Sequence, residues 1–110
     1  MGFTYLASPY SHPDEDVRLE RYEAACRAAA RLMDQGEVVF SPIAHSHPIE
    51  LVGQPKKPTH DFWMRQDRPI LQHAAKLAVL MLPGWQNSKG VSEEVMIAHA
   101  LHLPVEYIEA

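Results

Sequence analysis

Glu94 stands in the stretch Asn87-Ser88-Lys89-Gly90-Val91-Ser92-Glu93-Glu94-Val95-Met96-Ile97-Ala98, shortly after the apolar run Leu77-Ala78-Val79-Leu80-Met81-Leu82. That order reads as a buried strand, a polar Gly-containing loop, and a helix from Ser92 to about Leu101 with a carboxylate in its first turn. In an α/β domain such a carboxylate lies at the carboxyl edge of the sheet, where ligands bind. Helix N–H groups would keep it ionised with a lowered pKa, a state suited to attack on an electrophilic carbon. The competing reading is local, because Asp and Glu are favoured in first turns whatever a protein does. Glu93 and Glu94 point about a hundred degrees apart on a helix. Only one can face the loops, and spacing alone does not choose between them.

Other chemistry-bearing residues are scattered. Asp61 and Asp67 precede the apolar run in a segment with Trp63, Met64 and Arg65, and the usual fate of such acids is weak surface pairing with Arg65 or Arg68. His45, His47 and His60 with Asp61 offer a metal-ligand reading, but a His-x-His flanked by proline is a poor match to diagnostic zinc spacings. Solvated or ligand-facing imidazoles are the competing reading, and no metal or other cofactor is expected. Cys26 lies in an Ala-rich helical pattern, which favours buried packing over catalysis. No Gly-rich dinucleotide fingerprint, phosphate-binding GxxxxGK[ST] loop or GxSxG elbow occurs.

The elements that must position these groups alternate. Phe3 to Ala7 reads as a first strand stopped by Ser8-Pro9. A helix from about Asp14 to Gln35 follows, opened by Asp14, Glu15 and Asp16 and closed by Gly36. Its apolar stripe reads as Leu19, Tyr22, Cys26, Ala29 and Met33, with Arg18, Arg21, Arg27 and Arg31 as a solvated rim. Glu37 to Phe40 is a second strand. Ser41 to Pro58, with four prolines, reads as a long loop with at most one helical turn. Thr59 caps a helix running to about His73 that Pro69 should kink or split. Lys76 to Met81 or Leu82 is a strand buried on both faces. Pro104 to Ile108 is a final edge strand.

This pattern predicts one α/β domain over residues 1–110: a three-layer sandwich, flavodoxin-like or Rossmann-like, on a parallel sheet of four or five strands with right-handed crossovers. The loops Ser8 to Pro13, Ser41 to Pro58 and Pro83 to Ser92 would converge beyond the strand ends. Composition agrees with an ordinary globular domain, at 46% hydrophobic and 22% charged residues. A net charge of −4 argues against a nucleic-acid partner. No signal-peptide pattern opens the chain and no apolar run could span a bilayer, so neither secretion nor a membrane partner is expected. A single cysteine fits a reducing cytoplasm.

Three blocks together resemble the nucleoside 2-deoxyribosyltransferases and the related deoxynucleoside 5′-monophosphate N-glycosidases, in a compact branch of that superfamily. Tyr5-Leu6-Ala7-Ser8-Pro9-Tyr10 resembles the opening strand and loop. Asp67-Arg68-Pro69-Ile70-Leu71 resembles the Asp ahead of an apolar strand. Ser88 to Ala98 resembles a Gly-x-x-x-Glu-x-x-x-Ala segment whose Glu is the nucleophile. The resemblance implies that Glu94 attacks C1′ of a (deoxy)nucleoside or its 5′-monophosphate, that Asp67 protonates the departing base, and that Tyr5 orients Glu94. It implies a sugar or phosphate contact from Ser88. Ser8, Asn87 and Gly90 are further candidate substrate contacts, as is His45, which is not a motif residue of the family and whose role stays open. Trp85 would cover the base or plug a neighbouring subunit, with packing as the competing reading. Relatives in this family often carry Asp where Lys76 stands in Ala75-Lys76-Leu77, and the loop Pro83 to Ser88 is longer here than in the N-glycosidase branch.

The expected activity is therefore N-glycosidic bond cleavage or transfer on a small-molecule nucleoside or nucleotide, by a homo-oligomer whose interface uses exposed Trp63 and Trp85. A non-catalytic nucleotide-binding module of the same fold is the alternative, and a metal-dependent hydrolase built on His45 and His47 a weaker third.

Overall fold

A computed structural model of the chain describes residues 2–110. Four strands, β1 (Thr4–Ala7), β2 (Val39–Phe40), β3 (Lys76–Leu80) and β4 (Val105–Ile108), form one sheet in the order β2-β1-β3-β4. Every pairing is parallel. The helices are α1 (Glu15–Asp34), α2 (Pro42–Pro48), α3 (His60–Gln72) and α4 (Lys89–Ala100). The chain moves outward from β1 to β2 and then returns to place β3 on the other side of β1. A crevice therefore opens at the carboxyl ends of β1 and β3. The expected α/β sandwich with a parallel sheet is what forms.

Alternation along β1 sorts the core. Tyr5 and Ala7 face the layer containing Leu71 of α3 and Val91 and Ala98 of α4. Leu6 faces the other way, onto Ala28, Ala29 and Leu32 of α1. A side-chain period of two thus puts the Tyr5 ring on the same side of the sheet as α3 and α4. β3 is buried from Leu77 to Leu80, the pattern of a central strand covered on both faces.

Four local expectations are corrected. The buried face of α1 is Ala25, Ala28, Ala29 and Leu32, whereas Leu19 and Met33 are exposed; the small alanines let the backbone sit close to the sheet, which rotates the larger residues outward. The segment after β2 is largely helical. Ser41 caps α2 by accepting from Ala44 N at 3.1 Å, Pro42 occupies the first turn, where its missing N–H costs nothing, and a π-helical turn, Ile49–Gly53, follows. Pro69 does not split α3, which runs unbroken to Gln72; so near the helix end it removes only one backbone bond. Finally, α4 starts at Lys89, not Ser92, because Ser88 is its N-cap and accepts from Val91 N at 3.2 Å.

Candidate active site

The two crevice strands end in polar turns. β1 runs into Ser8, and β3 into a turn that reverses at Gly84, whose φ of 89° is the left-handed region favoured by glycine. A Cβ there would also meet Arg21 Nη2 at 3.1 Å. Between these turns lies a cleft of about 1060 Å³. It is lined by Ser8, Asp67, Asn87, Ser88, Gly90 and Glu94 among others, with Lys89, Arg18 and Arg21 adding positive charge.

Glu94 projects from α4 into this cleft and is 5% exposed. The Tyr5 hydroxyl, itself fully buried, donates to Glu94 Oε2. Its neighbour Glu93 turns the other way and meets His60 Nε2 at 3.0 Å. The structure therefore makes the choice that helical spacing left open. Asp67 projects from α3 into the same cleft, 7% exposed, with Oδ1 buried and unpartnered. Its charge acts on both Tyr5 and Glu94, so the three side chains share one electrostatic environment.

Burial governs this site. Desolvation pushes Asp67 up to about 6. Desolvation pushes Glu94 up to about 8, opposed by the Tyr5 hydrogen bond and reinforced by the charges of Asp67 and Glu93. Burial, with the two nearby carboxylates, also raises Tyr5, so its phenol stays protonated. The expected lowering of the Glu94 pKa is thus reversed. Glu94 lies more than a turn into α4 and has no free helix N–H to stabilise its charge, because the first-turn donors precede it. Between about pH 6 and about pH 8 the two carboxyls hold a single proton. The Tyr5 hydrogen bond draws that proton toward Asp67, but burial still leaves Glu94 with the higher proton affinity.

The remaining sequence candidates divide. Ser8 lines the cleft with a buried, unpartnered Oγ, and Asn87, Ser88 and Gly90 line it too. Trp85 lies outside the cleft: its ring meets Tyr107 with centroids 5.4 Å apart, and it packs on the core. His45 is exposed on α2 and lies against Phe40 at 5.6 Å, also away from the cleft. Trp63 is half-buried at the cleft wall rather than exposed.

His45 and His47 diverge because residues two apart on a helix face opposite sides. Among the described residues no three His, Cys, Asp or Glu side chains lie together as a metal site would need. Sequence reasoning missed Arg18 and Arg21, read as a solvated rim. Both are half-buried at the cleft, with Arg21 Nη1 donating to Ser11 O at 3.0 Å and Nη2 to Pro83 O at 3.3 Å. Their position one helical turn apart, just after the first loop, was the available signal.

The four-stranded parallel sheet has a counterpart among solved structures. The structure is similar to that of the 2-deoxyribosyltransferase from the psychrotolerant bacterium Bacillus psychrosaccharolyticus, with a TM-score of 0.69 over 96% of this chain and 71% of the other. At 20% identity this likeness is one of fold, and the fold implied by the sequence resemblance is borne out. The chain belongs to the family described as Domain of unknown function (DUF1937), which it matches over residues 2–110. No curated protein matches the sequence. Among the described residues no helix is long and apolar enough to cross a membrane.

Proposed function

We propose that this protein cleaves or transfers the N-glycosidic bond of a deoxynucleoside or its 5′-monophosphate through a carboxylate nucleophile. The observation carrying this reading is the buried Tyr5–Glu94 hydrogen bond beside a second desolvated carboxyl, Asp67, in one cleft. Glu94 in its ionised form attacks C1′ while the C1′–N bond breaks. The bond's electron pair goes to the base nitrogen and the Asp67 proton follows it. An oxocarbenium-like transition state favours a carboxylate at close range, and a carboxyl raised toward neutrality can serve as the acid. Water then hydrolyses the glycosyl ester, or a second base displaces Glu94 in a transfer reaction.

Glu94 begins with the higher proton affinity, so the reactive form is the minor tautomer, with its proton on Asp67. A developing positive charge at C1′ and the Tyr5 donor both favour that form. Arg18, Arg21 and Lys89 share the cleft with Ser88, which supports a 5′-phosphorylated substrate.

The test incubates the protein with deoxynucleosides and their monophosphates and follows free base and intact mass. Base release with a sugar adduct that disappears in Glu94→Gln is the expected result. Binding without base release across all substrates would leave a nucleotide-binding module in its place. Light scattering tests the accompanying proposal that the protein assembles as a homo-oligomer.

A further inference from the structure

His47 is an imidazole held from behind with one nitrogen left bare. It lies near the end of α2 and is 6% exposed. The Tyr22 ring of α1 stacks on it, with centroids 4.1 Å apart and planes at 22°. Tyr10 meets it edge-on at 5.6 Å. Nδ1 lies 2.6 Å from the Tyr10 hydroxyl, and that hydroxyl lies 3.5 Å from Glu50 Oε2. Nε2 is buried and has no partner. His47, Tyr10 and Glu50 all line the cleft that holds Glu94 and Asp67.

Counting protons singles out the one neutral tautomer that makes both Tyr10 contacts hydrogen bonds. A phenol has one O–H, and a carboxylate only accepts. For both contacts to be hydrogen bonds, Tyr10 donates to Glu50 and accepts from Nδ1–H. Nε2 is then a lone pair in a buried position. Buried acceptors are almost always satisfied; Nε2 has no exposed surface, so a ligand donor reaches it from the cleft only by displacing a neighbouring side chain of the wall. The flat aromatic surroundings suit a planar partner.

We propose that His47 reads the leaving base, its Nε2 accepting a hydrogen bond from an exocyclic amino group, so that cytosine- and adenine-type bases are preferred over their keto counterparts. This rests on the nucleotide reading above. A keto oxygen at the same place would oppose two lone pairs, and sites built around a buried polar group discriminate strongly against such a mismatch. Tyr10 is a positioning residue, holding the imidazole tautomer through Nδ1.

Calorimetric binding of dCMP, dUMP, dAMP and dIMP to wild type and to Glu94→Gln tests the idea without requiring turnover. Amino-bearing ligands are expected to bind about tenfold tighter than their keto partners, the worth of one good hydrogen bond. His47→Phe keeps the stack on Tyr22 and should abolish that preference. Tyr10→Phe should reduce it, and His47→Gln, whose amide oxygen can accept in place of Nε2, should retain part of it. The wild-type comparison stands even if a variant fails to fold. Equal binding of dCMP and dUMP by wild type, or tighter dUMP, overturns the proposal. The His47→Phe loss should persist with 2′,3′-dideoxycytidine monophosphate; if it vanishes there, Nε2 contacts the sugar and the base assignment fails. Nucleotide binding indifferent to position 47 removes this inference alone, whereas no binding by either protein removes the nucleotide reading and this inference with it.

Discussion

The Tyr5 hydroxyl donates to Glu94 Oε2 across 89 positions of sequence. Both side chains are buried, one fully and one at 5% exposure. The strand phase that points Tyr5 toward the α3/α4 layer and the helix phase that points Glu94 inward are therefore tied to each other. A shift of one residue in β1 would send Leu6 to that layer and leave Glu94 without a donor.

Tyr5→Phe removes only the oxygen of that bond. Hydrogen bonds to charged groups are worth about 1.5–3 kcal/mol, so kcat should fall by about tenfold to a hundredfold. The effect acts through the proton on Glu94, whose affinity rises once the donor is gone. A wild-type pH–rate profile should be bell-shaped, with limbs near the two values of the pair, about 6 and about 8. In Tyr5→Phe the alkaline limb should move upward. An unchanged profile with reduced kcat would show that Tyr5 acts only as packing.

Stability should fall as pH rises, which inverts the usual acid denaturation of proteins. Asp67 and Glu94 have folded pKa values raised to about 6 and about 8, so the native state binds more protons than the unfolded chain in this range. Their stabilising contribution is complete below the unfolded carboxyl pKa, about 4, and is lost as pH climbs through the folded values. Asp67→Asn cannot lose a proton. Its Tm relative to wild type should therefore increase by several degrees between about pH 4 and about pH 9, a gain of about 2 kcal/mol. Thermal scans across that range check it, and a flat difference would mean that Asp67 is solvated.

The strand–helix alternation made the fold legible, because continuous apolar runs such as Leu77 to Leu80 and turn signals such as Ser8-Pro9 are local. The cleft was legible only in outline. The family resemblance, rather than local spacing, brought out Glu94, Asp67 and Tyr5 as a set, but the sign of the Glu94 shift was not legible, since it depends on how deeply α4 buries that residue. Ser88 rather than Ser92 starts the helix, and both are acceptable N-caps; packing of Val91, only 2% exposed, against the core requires the earlier start. The α2 segment was obscured because proline reads as a breaker, although Pro42 at a first turn is a helix former. His47 carried no sequence signal beyond its type.

Trp85 offers a test of packing against ligand contact. It sits on Tyr107 beyond the cleft, so Trp85→Ala should lower Tm while leaving KM within about twofold, since surface-side truncations away from a site change binding little. The loss should amount to about 1–3 kcal/mol for a half-buried ring. A large rise in KM at unchanged stability would mean that the turn carrying Trp85 folds over the substrate.

Glu93 and Glu94 are adjacent, identical in chemistry and opposite in surroundings, which makes them a controlled pair. Glu93 is 35% exposed at its side chain and pairs with His60, itself 27% exposed. Such a pair contributes about 0–1 kcal/mol. Glu93→Gln should leave Tm nearly unchanged and keep most activity, its charge being one of the lesser causes raising Glu94. Glu94→Gln keeps an acceptor for the Tyr5 hydroxyl and removes a desolvated charge, so it should fold, gain stability at alkaline pH, and lose base release altogether. Steady-state kinetics and melting curves on the two variants decide the matter. A dead Glu93→Gln beside an active Glu94→Gln would place the nucleophile on the opposite face of α4 and end the proposed mechanism.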